Sequence, residues 1–256
     1  MWEPDGWDVR CRLGVLTPHA DVGPESELQA MAPEGVRIHA ARVPFGAMGA
    51  GGAMDPTIPL APVEAFVQPP AIDDAVALLA AAPVAAIGIA FTSSSYVTGV
   101  DGEDEMVERL QERSSGVPVV TTGTSAAAAL RVVDARRIAL ISPPWFDTEL
   151  DSLGAEYFRS QDFDVVYHAP CGLPSNQASI HPSELYTWIA NHTPDDADAV
   201  FIGGNGFRSV GVITALEDHL SRPILTANQV LLWNLLHTTH PHTKPHTYGS
   251  LWSAEV

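Results

Sequence analysis

The sequence predicts an α/β fold of two similar lobes related by a pseudo-twofold axis, each a parallel sheet flanked by helices. Two observations carry this. Short apolar strands alternate with amphipathic helices along the chain, and such alternation builds parallel sheets with helices on their faces. The order of the pieces also repeats: the first half of the chain runs through strand, helix, strand, helix, strand with a small polar end, helix, Pro-led strand and helix, and the second half runs through the same series. A cleft between two such lobes, where strand ends face each other, is the expected place for a ligand.

Taken in order, residues 1–11 read as an arm. Arg12-Leu-Gly-Val-Leu-Thr-Pro18 is a strand, and Pro24 with the acids behind it opens a helix. Val36–Val43 alternates as a strand, and residues 44–70, rich in Gly, Pro, Ala and Met, read as a long mobile loop. A helix follows from Ile72. The apolar strand 85–91 then runs into the hydroxyl cluster Thr92-Ser-Ser-Ser95, read as a loop, with a charged helix only from Glu103 to Arg113. Val117–Thr122 is a strand and Ser125–Val132 a helix. The series restarts at Arg137-Ile-Ala-Leu-Ile-Ser-Pro143, which resembles Arg12–Pro18. Phe91 aligns with Gly204, and Pro118 with Pro223. The expected division is lobe one at 12–122 plus 227–238, lobe two at 123–226, and a tail at 239–256.

Composition narrows the function. The net charge of −18, with a single lysine, disfavours nucleic acid. No apolar run reaches the ~20 residues of a bilayer span, and the acidic N-terminus lacks the basic start of a signal peptide. Two cysteines, Cys11 and Cys171, make no disulfide framework, so a cytoplasmic location is the default expectation. A carboxylate ligand would need local donors against the acidic surface. His237, His240, His242 and His246 are spaced irregularly among Thr and Pro and read as a solvated tail, not a metal site. The glycines at 49, 51 and 52 form no phosphate-binding fingerprint. No cofactor and no metal are expected. The expected partner is a small carboxylate, with a homo-oligomer left open.

Several stretches together resemble the aspartate/glutamate racemase superfamily, in its maleate cis-trans isomerase and arylmalonate decarboxylase branch. They are Leu16-Thr-Pro18 with Asp21 and Glu25, Phe91-Thr-Ser-Ser-Ser95, Pro118-Val-Val-Thr-Thr122, Arg137–Pro143, Asn205-Gly-Phe-Arg208 and Thr226-Ala-Asn-Gln229. The resemblance covers about residues 12–238. It implies one catalytic cysteine at the end of each lobe's third strand, with backbone N–H groups holding a substrate carboxylate. The matching positions here are Phe91 and Gly204, so both thiols are missing. Neither replacement can act as a base or a nucleophile. A rescue by Cys171 would predict a thiol-dependent isomerase.

What the resemblance leaves is an anion cradle. Thr92, Ser93 and Ser94 supply donors in lobe one, and Gly204, Asn205 and Gly206 supply them in lobe two. Phe91, Trp145 and Phe207 would make the pocket aromatic. Asn176 matches an asparagine that contacts substrate in the isomerases. Such a site can stabilise an enolate. Asp21 suits an acid–base role in a desolvated pocket and equally a helix cap before Pro24. His19, two residues earlier, either shares the site or is a loop histidine. The resulting expectation is a cysteine-independent enzyme acting next to a carboxylate by decarboxylation, isomerisation or elimination. The alternative is a catalytically silent carboxylate-binding protein.

Overall fold

The computed structural model describes residues 3, 5–239, 244–245 and 247–254. The first half forms β1 (Cys11–Pro18), α1 (Gly23–Met31), β2 (Val36–Val43), α2 (Leu60–Phe66), α3 (Ala71–Ala80), β3 (Ala86–Ile89), α4 (Thr92–Arg113), β4 (Val119–Thr121) and α5 (Thr122–Val132). The second half forms β5 (Arg137–Ser142), α6 (Thr148–Arg159), β6 (Asp164–Pro170), α7 (Pro182–His192), β7 (Ala199–Ile202), α8 (Ile213–Leu220), β8 (Ile224–Thr226) and α9 (Ala227–Thr239).

The two sheets have the same strand order, β2-β1-β3-β4 and β6-β5-β7-β8, and every pairing is parallel. The internal repeat read from the sequence is therefore an architectural one. The inner strands β3 and β7 are buried at every residue. Helices cover both faces of such strands, which is why they read as continuous apolar runs and not as alternating ones. Gly88 lets α9 seat closely on β3: a Cβ there would lie 3.0 Å from side-chain carbons of Leu231 and Leu235. The last long helix thus returns to the first sheet. Among the described residues no helix is long and apolar enough to cross a membrane.

Three local expectations need correction. Residues 44–70 are not one structureless loop. They hold a 3-10 turn at Ala50–Gly52, a two-residue bridge between Met48 and Met54, and α2. Phe66 and Val63 of α2 are buried, and that burial makes a helix where composition alone suggested a coil. Second, α4 begins at Thr92 and not at Glu103. The four hydroxyl residues form its first turn, and the helix breaks at Gly99, whose φ is 64°. No side chain caps the N–H groups of this start; Ser94 Oγ instead donates to the Phe91 carbonyl. Third, the stretch Val210–Leu220, which reads as one helix, starts as a separate 3-10 turn at Val210–Val212, and α8 begins only at Ile213. His240, His242 and His246 of the histidine-rich tail lie outside the described residues.

Candidate active site

The strand ends of the two lobes meet between β3 and β7. Thr92 Oγ1 donates to Asn205 Oδ1 at 2.7 Å, and the two residues are 113 apart, the same offset that aligns Phe91 with Gly204. Equivalent positions of the repeat therefore touch each other. The Gly204 N–H donates back to Thr92 Oγ1 at 3.1 Å, and Thr122 Oγ1 also reaches Asn205 Oδ1 at 3.2 Å.

These contacts sort the donors. Of the four hydroxyls at the start of α4, Thr92 is taken by Asn205, Ser94 by the Phe91 carbonyl at 2.6 Å, and Ser95 by Glu103. Ser93 is the one whose hydroxyl has no partner among the described residues. The N–H groups of Thr92 and Ser93 sit in the first helical turn, where no intrahelical acceptor exists. The N–H groups of Asn205 and Gly206 likewise have no backbone partner among the described residues. All four of these residues line one cavity. This arrangement of N–H groups with one hydroxyl can hold an anion as an oxyanion hole does. Ser94 is not part of it: its side chain caps the turn behind.

The cavity has a polar end and an apolar end. Asp21 and Gln177 complete the polar end. Asp21 is 4% exposed, and its Oδ1 accepts the Gly23 N–H at 2.8 Å. Burial holds its carboxyl above the usual carboxylate range, against the opposing pull of the Gly23 N–H, Gln177 and Arg42. So Asp21 both caps the turn before Pro24 and faces the cavity. The two readings of it are compatible. Gly206 brings the lobe-two backbone against this pair: a Cβ there would stand 2.6 Å from Asp21 Oδ2 and collide with Gln177 Nε2. The apolar end is formed by Phe45, Met48, Met54, Ile58, Trp145 and Phe146. The cavity measures about 30 Å³, room for a water or two. Beside it, sharing Gln177 and Gly206, a groove of about 1100 Å³ opens between the lobes.

The positions that the resemblance assigns to thiols are closed in different ways. Phe91 lines the cavity but packs with Phe66 at 4.2 Å and Phe45 at 5.0 Å between ring centroids. Gly204 has φ +87°, and a Cβ on it would collide with the Pro143 ring. Cys171 is buried and lines neither cavity, and burial pushes its thiol up to about 12. A thiolate nucleophile at Cys171 is thus disfavoured both by place and by charge.

Other expected site residues stand one layer out. His19 lines the outer groove, with its Nδ1 accepting the Phe45 N–H at 3.1 Å. Asn176 also lines the groove and accepts the Ala178 N–H at 2.9 Å; its neighbour Gln177 enters the cavity instead. Phe207 is fully buried behind Trp145, at 5.7 Å between centroids, and supports that ring. Residues that the sequence reading left out are Gln177, Phe45, Met48, Met54, Ile58 and Phe146. All but Gln177 and Phe146 come from the 44–70 segment, which forms the cavity roof. Its Ile58 N–H donates to the Trp145 carbonyl at 2.9 Å, tying the roof to lobe two.

With this geometry in hand, the similarity to known proteins decides the family. Residues 28–252 match the family model of arylmalonate decarboxylase. The chain belongs to the arylmalonate decarboxylase family. A maleate isomerase of Pseudomonas putida (strain KT2440) is 24% identical over 223 residues, which covers 84% of this chain and 86% of that protein. The crystal structure of the maleate isomerase Iso from Pseudomonas putida S16 superposes with a TM-score of 0.82 at 21% identity, over 95% of this chain and 98% of that one. A crystal structure of arylmalonate decarboxylase superposes with a TM-score of 0.78 at 17% identity, over 94% and 99%. Both solved structures share the two-lobed fold described above.

Proposed function

We propose that the chain is an enzyme acting next to the carboxylate of a small organic acid through an enolate-like intermediate, without a cysteine. The observation that supports this is Asp21: a buried carboxyl with raised proton affinity, in the same cavity as a cradle of free N–H groups. The cradle holds one carboxylate and the charge that develops on it. The apolar end offers no cation, so a second carboxylate placed there loses hydration without compensation.

Decarboxylation is the reaction that suits this arrangement best. The bond to the carboxylate at the apolar end breaks and carbon dioxide leaves. The electron pair passes into the carboxylate on the cradle as an enediolate. Asp21, protonated, then gives its proton to the carbon and is reprotonated from the groove side. A malonate bearing an apolar substituent fits this division of the cavity better than maleate does, whose two charged ends both need donors. Anything larger than a water or two also requires the roof at Met48, Met54 and Ile58 to swing aside.

Proton nuclear magnetic resonance in heavy water, with phenylmalonate, methylmalonate and maleate offered in turn, tests the reading. A malonate should be consumed with one deuteron delivered to its α-carbon, and Asp21→Asn should slow that by about 100-fold or more. Undiminished turnover in Asp21→Asn would remove the assigned role.

The second reading, a silent carboxylate binder, is favoured by the narrow cavity and by the Phe45–Phe66–Phe91 cluster beside it. It predicts saturable binding of phenylacetate with no turnover of any of the three acids.

A further inference from the structure

Glu27 of α1 stands outside the inner cavity, yet a buried run of hydrogen bonds leads from it to the cradle. The residue is 8% exposed. Its Oε1 accepts the N–H groups of Ser209 at 2.7 Å and Val210 at 3.1 Å. Its Oε2 accepts from Asn228 Nδ2 at 2.8 Å. Asn228 Nδ2 also donates to the Asn205 carbonyl at 2.8 Å, and Asn228 Oδ1 accepts from Asn205 Nδ2 at 2.9 Å. Asn205 Oδ1 then receives Thr92 and Thr122, and Thr92 receives Gly204.

Every link in this run has a direction, and Glu27 sets it. Oε1 is already taken by two backbone N–H groups, and above about pH 7, where the carboxyl is ionised, Oε2 only accepts. Asn228 must therefore turn its NH2 group toward Glu27 and its oxygen toward Asn205. Asn205 must turn its NH2 toward Asn228 and its oxygen toward the two threonines. Thr92 has one proton, which goes to Asn205, so its lone pairs face the Gly204 N–H. Reversing Asn228 would set NH2 against NH2 at Asn205 and oxygen against oxygen at Glu27. Thr92, Asn205 and Asn228 are all buried, so such a mismatch is costly.

We propose that Glu27 is a positioning residue that fixes the donor–acceptor polarity of the cradle, holding the Gly204–Asn205 turn so that the N–H groups of Thr92, Ser93, Asn205 and Gly206 stay free for a carboxylate. The statement that the cradle takes a carboxylate rests on the function proposed above; the polarity of the run does not. The carboxylate comes from lobe one, while Ser209, Val210 and Asn205 belong to lobe two, so the same group joins the lobes at the site.

Backbone amide exchange on the full chain separates this role from simple packing. In Glu27→Gln the Oε1 side still accepts Ser209 and Val210, but the other arm becomes an NH2 facing the NH2 of Asn228. The Gly204 amide, at the far end of the run, should exchange about tenfold faster or more, while Ser209 and Val210 keep their protection. Titration calorimetry with phenylacetate should show binding weakened roughly tenfold in Glu27→Gln. Unchanged Gly204 exchange in Glu27→Gln overturns the proposal. So does a loss of protection shared equally by Gly204, Ser209, Val210 and remote α7 amides, which marks Glu27 as a packing post. If the unmodified protein does not bind phenylacetate while the exchange pattern holds, the carboxylate reading fails and the polarity run stands.

Discussion

Gly204 and Gly206 do different work two residues apart. Gly206 has no side chain because Asp21 and Gln177 occupy the space that one would take. Gly204 has none because its backbone is left-handed and Pro143 blocks the Cβ direction. Installing the thiol that family resemblance expects therefore meets two obstacles at once. Gly204→Cys should lower the melting temperature, with about 1–3 kcal/mol from the backbone alone and more from the clash, and should create no activity sensitive to thiol alkylation. A thermal melt with an alkylation assay reads both. At this scale much of the site was legible. Asp21, Thr92, Ser93, Trp145 and Gly204–Gly206 were named from the family resemblance together with residue type, and all line the cavity. Asn176 and Gln177 show the limit. The two are adjacent polar amides, and only the 3-10 turn at Gln177–Ser179 determines which one turns inward. Ser94 was misread for a related reason, since a helical first turn sends neighbouring hydroxyls in different directions.

Among the elements, α4 couples the lobes behind the cradle. Its break at Gly99 returns the chain so that Glu103, fully buried, meets Ser95 near its own start. Tyr157 of α6 donates to the other carboxylate oxygen at 2.5 Å. Burial pushes the Glu103 carboxyl above its ordinary range in spite of these donors. Tyr157→Phe removes one of them from a buried site and should cost about 1–3 kcal/mol, measured by denaturant unfolding with little change in slope. None of this could be read in advance. Glu103 stood at the start of what read as a separate charged helix, and only the kink at Gly99 turns it inward. The 44–70 segment was opaque for the opposite reason. Its small residues and prolines carry no periodicity, while the roof is set by Phe66 packing on Phe45 and Phe91 and by the Ile58 N–H bonding the Trp145 carbonyl.

For the whole molecule, buried acids set the response to pH. Asp21, Glu27 and Glu103 all have raised proton affinity in the folded state, and Glu27 is raised from 4.5 to about 7. For each, burial is the largest cause. An acid that binds its proton more tightly when folded imposes no penalty below its unfolded value and the full penalty above its folded one. Stability should therefore fall as pH rises from about 5 to about 7.5, and easing of the −18 net charge at lower pH acts in the same sense. Melting curves across that window check the sign, and Glu27→Gln should flatten part of the slope, worth roughly 3 kcal/mol. A curve that rises toward neutrality would contradict the assignment. The fold itself was legible at this scale because the duplication writes the same strand order twice, and two copies of one pattern are harder to misread than one.

The closed thiol positions also bear on engineering. At one, the ring of Phe91 is shared with Phe45 and Phe66; at the other, Gly204 is shielded by Pro143. A single substitution to cysteine opens a hole in lobe one or forces a collision in lobe two. Each replacement needs a neighbour to change with it. A thiol pair is therefore out of reach of single substitutions, and redesign of this pocket starts from its backbone donors and its carboxyls.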